Sequence, residues 1–219
     1  MKINSCLVHT KLHPAITVAE VEQLCNEAIQ HDFIAVCIPP LFVKKVKTIL
    51  KDSPIKVATV IGFPFGYSAI EAKVAETVLA IIDGADELQV VINISAIKNN
   101  DWQFLAAELN ALLPIVKNKQ KALTIIIESG LLTDDEIIKC CDLYGIAGVD
   151  FIKTSTGFYE TAAGIETLQL IRKYLADKIN IITGGDIKNY TFAKQLADAG
   201  ADRLSCDAMQ IVNEAIQKK

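Results

Sequence analysis

Near position 150 an apolar run ends in an amine. Val149, Phe151 and Ile152 lead to Lys153, and Thr154, Ser155, Thr156 and Gly157 follow at once, so that 151–158 reads FIKTSTGF. Burying an ammonium is costly. A primary amine whose pKa is lowered, by desolvation or by a neighbouring cation, becomes a nucleophile that forms an imine with a carbonyl. On a strand, Val149, Phe151 and Lys153 share one face. The three hydroxyls then surround the amine, and Gly157 allows the backbone to approach an anionic group. A lysine at a strand end can also snorkel to water or pair with a carboxylate such as Glu128, and residue type alone leaves both roles open.

The elements that must position this lysine follow from hydrophobic periodicity. Short β-branched apolar runs at 3–9, 33–38, 55–63, 87–94, 122–129, 149–154, 178–184 and 201–206 read as strands. Between them lie stretches with apolar residues three and four apart, among them 18–30, 134–145 and 189–200. Eight such units in 219 residues leave about 27 residues each, a spacing that fits a small α/β (β/α)8 barrel. An open doubly wound sheet is the alternative, but no GxGxxG follows the first strand. No linker or composition shift divides the chain, so 1–219 is expected to be one barrel domain. In a barrel, chemistry gathers where strands end. That rule selects His9, Cys37, Phe63, Asn93, Glu128, Lys153, Gly184, Gly185 and Ser205 to Asp207.

Composition narrows the partners. The chain is 51% hydrophobic with a formal charge of −4, which is a globular balance without the clustered basic footprint of a nucleic-acid or anionic-membrane binder. No run approaches the roughly 18 apolar residues of a membrane span. The N-terminal MKINSCLVHTKLH turns polar too early for a secretory signal. Six cysteines without a CxxC pair read as free thiols of a cytoplasmic protein. Three histidines with no cluster at ligand spacing predict no metal site.

Five segments carry a resemblance to a known family: VIGFPFG (60–66), GADELQVVINISAIKNND (84–101), IIIESGLLTDDEI (125–137), GVDFIKTSTGF (148–158) and AGADRLSC (199–206). Together they resemble 2-deoxyribose-5-phosphate aldolase over nearly the whole chain, and FIKTSTGF is the most specific piece. The resemblance implies a (β/α)8 barrel and a class I aldolase working without metal or other cofactor. Its reaction reversibly joins acetaldehyde to glyceraldehyde 3-phosphate through an imine on the motif lysine, which corresponds to Lys153. Residues expected around the substrate, an aldehyde or sugar phosphate, are Thr154, Thr156, Gly157, Gly184, Gly185, Ser205 and Cys37. A homodimer is a further expectation from the family.

The chain also departs from that pattern. The strand-four aspartate, which helps relay the proton, is replaced by Gln89, and an amide cannot accept a proton. The second lysine that depresses the pKa of the first falls on Ile182 or, with the alignment shifted by one, on Ile181. The first-strand aspartate corresponds to Val8. The last phosphate loop reads SCDAM (205–209), and Asp207 there, like Asp186 in the Gly-Gly loop, sets a negative charge against a phosphate. Three readings therefore stand: the family aldolase with altered auxiliaries, a Schiff-base lyase for a different and unphosphorylated aldehyde or sugar, and a barrel that has lost catalysis. Under the second, Glu128, His9 or Tyr159 serves as the proton relay. Cys37 and Cys206 read equally well as small core residues.

Overall fold

A computed structural model of the protein describes residues 3–159, 164–185 and 187–217. Among them eight parallel strands close into a barrel in chain order: β1 (Leu7–Thr10), β2 (Ala35–Ile38), β3 (Lys56–Ile61), β4 (Glu87–Val91), β5 (Ala122–Ile126), β6 (Phe151–Lys153), β7 (Asn180–Gly184) and β8 (Arg203–Cys206). Helices α1 (Val18–His31), α2 (Val43–Ile49), α3 (Ile70–Asp83), α4 (Ile94–Lys98), α5 (Trp102–Asn118), α6 (Asp134–Ala147), α7 (Ile165–Tyr174), α8 (Tyr190–Asp198) and α9 (Ala208–Gln217) lie between and after them. The (β/α)8 barrel expected from the spacing of apolar runs is the architecture observed.

Local chemistry sets the element ends. Thr17 and Glu20 form a capping box that starts α1, and Thr133 with Glu136 does the same for α6. The strands are shorter than the apolar runs. Residues 3–6, expected as strand, form a 3-10 turn in which Cys6 donates to the carbonyl of Ile3 and Asn4 donates to the carbonyl of His31. At 149–150 the strand is likewise absent. Asp150 turns its carboxylate onto the Leu123 N–H, and Val149 packs with the helices instead of sharing a face with Lys153.

The core has two shells. Residues paired in register on neighbouring parallel strands project to the same side, and sides alternate along each strand. Val8, Ala35, Cys37, Ala58 and Val60 fill one part of the interior. The alternate residues, such as Leu7, Val36, Leu88, Ile125, Ile152, Ile181 and Leu204, meet the helices. One level down the barrel, Glu87 takes both oxygens to the Arg203 guanidinium at 2.8 Å, and Arg203 stacks 4.4 Å from the Phe151 ring centroid. Both bonds come from one guanidinium nitrogen, and this ring-stacked ion pair forms a floor under the strand ends. Among the described residues no helix is long and apolar enough to cross a membrane. Nor does any group of three or more His, Cys, Asp or Glu among them form a metal cluster. All six cysteines are free and buried.

Candidate active site

Lys153 is the last residue of β6 and only 1% exposed. Its Nζ donates to Gln89 Oε1 at 2.9 Å and to Ser205 Oγ at 3.0 Å. Burial pulls its pKa below the ordinary 10.5, because the interior penalises the ammonium more than the amine; the nearby Cys37, Glu128 and Cys206 push the other way. The chain makes room for this side chain with Gly184 at the end of β7. A Cβ there would lie 2.7 Å from Lys153 Cε and 2.7 Å from the Ser155 carbonyl oxygen. Small residues around a long one thus place the amine at the barrel's C-terminal edge, dry but reachable.

The ring of strand ends around Lys153 decides what helps it. Gln89 stands on β4 with its amide oxygen on the amine, and its Nε2 is buried without a hydrogen-bond partner among the described residues. Ile182 is in register with Lys153 across β6 and β7, so it shares the interior face. Ile181 faces outward into the helix-packed shell. The position beside the amine is therefore Ile182, and it is aliphatic.

Ser205 on β8 accepts from Lys153 and lies 2.8 Å from Thr10 Oγ1, and Thr10 donates to the Val8 carbonyl at 3.0 Å. Sequence reading placed Ser205 at the substrate but did not single out Thr10. The signal was available in strand alternation, since Thr10 falls on the same face of β1 as Val8.

Glu128 is near Lys153 but makes no hydrogen bond to it. It adopts a left-handed backbone (φ 50°) and receives the Thr156 N–H at 2.9 Å and the Thr156 hydroxyl on one oxygen. Its other oxygen is buried without a partner among the described residues. Burial raises its pKa, opposed by the two Thr156 bonds and by Lys153. Glu128 thereby shapes the TSTG loop. Thr154 is buried and accepts from the Gly184 N–H, and Ser155 donates to the Gly184 carbonyl, so the loop is laced to β7. Gly157 has φ 84°, a conformation natural to glycine.

His9 is fully buried and spoken for: one ring nitrogen meets Glu27 at 2.8 Å and the other accepts the Ala208 N–H at 3.1 Å. It stands on the helix side of β1, away from the amine. Cys37 is buried in the barrel interior, where desolvation pushes its thiol up to about 11. Cys206 is pushed up to about 12 by the same cause. Asp186 lies outside the described residues.

Above the amine opens a cavity of about 620 Å³, with Lys153, Thr10, Ser205, Thr156, Gly157 and Gly185 on its polar side. Leu12, Phe158 and Tyr159 form an apolar wall. Phe63 backs Phe158 edge-on at 5.1 Å, and Phe65 meets Tyr159 at 6.3 Å. Asp207 and His13 stand at the margin. Helix N-termini that face such cavities bind anions through free N–H groups. At α9 the Met209 N–H already goes to the Asp207 carboxylate at 3.2 Å and the Ala208 N–H to His9. Of the residues expected around a substrate, Thr156, Gly157, Gly185 and Ser205 reach the cavity, whereas Thr154, Gly184 and Cys37 lie beneath it.

A family model described as DeoC/LacD family aldolase matches residues 7–206. The chain is 40% identical over 208 residues to a deoxyribose-phosphate aldolase of Caldicellulosiruptor saccharolyticus, covering 94% of each. It is 39% identical over 221 residues to one of Metamycoplasma arthritidis, covering 100% of both. Among solved structures, one titled "QR15, an Aldolase" superposes with a TM-score of 0.93 at 31% identity, with 100% of this chain and 97% of that one covered.

Proposed function

The chain belongs to the DeoC/LacD aldolase family, and on that premise we propose that Lys153 is the imine-forming residue of a class I aldolase. The observation that carries this is the dry Lys153 amine at the mouth of a cavity, held by Gln89 and Ser205 with no carboxylate among the described residues hydrogen-bonded to it. Desolvation keeps a share of the amine neutral, as nucleophilic attack requires. The neutral amine adds to the aldehyde carbon, and the carbinolamine loses water to give an imine. Cleavage of the bond between the carbons α and β to the imine, as the β-hydroxyl gives up its proton, expels one aldehyde and leaves an enamine on Lys153. Protonation of the enamine carbon and hydrolysis of the resulting imine release the second aldehyde and the free amine. Gln89 orients the carbinolamine hydroxyl through its spare N–H but cannot take a proton. Gly157 offers an unhindered backbone to the rest of the substrate, beside a Thr156 hydroxyl whose proton goes to Glu128. The family reading makes that substrate 2-deoxy-D-ribose 5-phosphate, cleaved to acetaldehyde and glyceraldehyde 3-phosphate.

One observation favours a second substrate. The Asp207 carboxylate occupies the α9 N-terminus where an anionic end would dock, and the Ala208 and Met209 N–H groups there are engaged. A phosphate meets repulsion rather than donors, so an unphosphorylated aldehyde or sugar fits that end better. The test is acetaldehyde release from deoxyribose 5-phosphate and from deoxyribose, compared with Lys153→Ala. Release from the phosphate, lost in the variant, supports the family reaction. Release from deoxyribose alone supports the second reading. Release that is unchanged in Lys153→Ala would remove Lys153 from the mechanism.

A further inference from the structure

Before Lys153 can attack, its ammonium must lose a proton, and the buried site limits where that proton can go. Among the described residues the amine has two hydrogen-bond acceptors, and one of them, the Gln89 amide oxygen, accepts a hydrogen bond but not a proton. The other is a hydroxyl, Ser205 Oγ, which can take a proton while giving up its own. From Ser205 the contact continues 2.8 Å to Thr10 Oγ1. Thr10 is partly exposed and lines the cavity, as Ser205 does. Glu128, a described carboxyl whose charge acts on Lys153, is engaged by Thr156 on one oxygen and hydrogen-bonds to neither the amine nor Ser205.

We propose that Ser205 is a catalytic proton-transfer residue and that, with Thr10 behind it, it forms a hydroxyl wire connecting the Lys153 amine to water in the cavity. This rests on Lys153 being the imine-forming residue. In the step that activates the amine, an N–H bond of the ammonium breaks and its electron pair stays on nitrogen. The proton goes to Ser205 Oγ, the former Ser205 proton to Thr10 Oγ1, and the former Thr10 proton to a cavity water, which leaves as hydronium. Thr10 turns its hydroxyl from the Val8 carbonyl toward the cavity to complete the transfer. Run backwards, the wire delivers a proton to the departing carbinolamine hydroxyl, which leaves as water. Such a wire suits a site in which Gln89 and Ile182 stand at the positions flanking the amine, because neither can carry a proton.

The experiment follows the rate at which acetaldehyde becomes trapped on Lys153 by borohydride, read by mass spectrometry over time. Ser205→Ala is expected to slow trapping about 10²-fold or more, the usual loss when a proton-transfer group is removed, while the final labelled fraction is unchanged. Ser205→Thr retains the hydroxyl and keeps most of the rate, and Thr10→Val slows trapping by a smaller factor. Added imidazole, a small mobile proton carrier, restores rate to Ser205→Ala in proportion to its concentration, which a purely packing defect does not permit. A Ser205→Ala rate equal to wild type, or one slowed but indifferent to imidazole, overturns the wire and leaves the imine assignment standing. No adduct on Lys153 in the wild-type protein overturns the imine assignment and the wire together.

Discussion

Ile182 stands directly beside Lys153 in the β6–β7 register, both side chains on the interior face of the barrel. An isoleucine there adds to the desolvation of the amine and brings no charge of its own. Lys153 consequently owes its lowered pKa to burial, with no cation among the described residues contributing to it. That distinction yields measurable consequences.

The first concerns pH. Only the neutral amine attacks, and burial lowers the pKa of Lys153 from 10.5. The rate of imine formation should therefore rise with pH and level off below pH 10.5. The same shift makes the folded state bind fewer protons at this site than the unfolded state between the two pKa values. Stability at this site accordingly grows as pH rises through that window and is lost as pH falls through the folded value. Trapping rates across a pH series check the kinetic half, and a plateau at or above 10.5 contradicts it.

A second prediction exchanges the flanking residues. Ile182→Lys puts an ammonium beside the Lys153 amine, and like charges disfavour each other. The plateau in imine formation then moves to lower pH, at some loss of stability from burying a second amine. Gln89→Asp acts with the opposite sign on the amine, since a carboxylate at 2.9 Å favours the ammonium and moves the plateau up. It also adds a base for carbon–carbon cleavage, which is expected to speed that step about 10²–10⁴-fold. Separate measurement of trapping and of aldehyde release distinguishes the two effects.

Asp207 provides a third. Replacing it by Ser removes the carboxylate at the start of α9 and keeps a small side chain able to accept the Met209 N–H. Cleavage of phosphorylated substrate should improve relative to unphosphorylated substrate, mainly through KM. An unchanged ratio of kcat/KM values would mean that Asp207 does not meet the distal end of the substrate.

A fourth lies away from the amine. Lys73 on α3 and Glu108 on α5 are both buried and paired, and Lys73 also donates to the Val91 carbonyl at the end of β4. Burial lowers the pKa of the lysine and raises that of the glutamate, so desolvation outweighs attraction for each. Lys73→Met strands Glu108 and should cost about 3–5 kcal/mol, whereas Lys73→Met with Glu108→Leu should recover most of that loss. Urea unfolding of the two variants gives the comparison.

How much of this the sequence disclosed follows from the kind of signal each residue carries. The barrel was legible because eight β-branched runs alternate with helical ones at a steady spacing, and Lys153 because an amine closing an apolar run breaks that pattern. The choice between Ile181 and Ile182 was not legible, since a one-residue slip turns a side chain to the other face. Only the paired register fixes it. Cys37 was expected at the substrate because it ends a strand, yet it lies in the barrel interior, a depth that strand position alone does not report. Residues 3–6 read as strand from their apolar content, while short hydrogen bonds to Ile3 and His31 hold them as a turn. The buried Lys73 sits at positions i, i+4 and i+7 with Thr77 and Ala80 on the inward face of α3, a periodicity that could have revealed it. Ser205 was expected at the substrate, but its contact with Lys153 was not legible, because it depends on two strands meeting across the barrel.

The central claim is that Lys153 forms the imine. Borohydride reduction of the wild-type protein with acetaldehyde, followed by peptide mapping, tests it in one step. The account predicts an ethyl adduct on Lys153 that is absent from Lys153→Ala. An adduct on another lysine, or none at all from a folded protein, contradicts it.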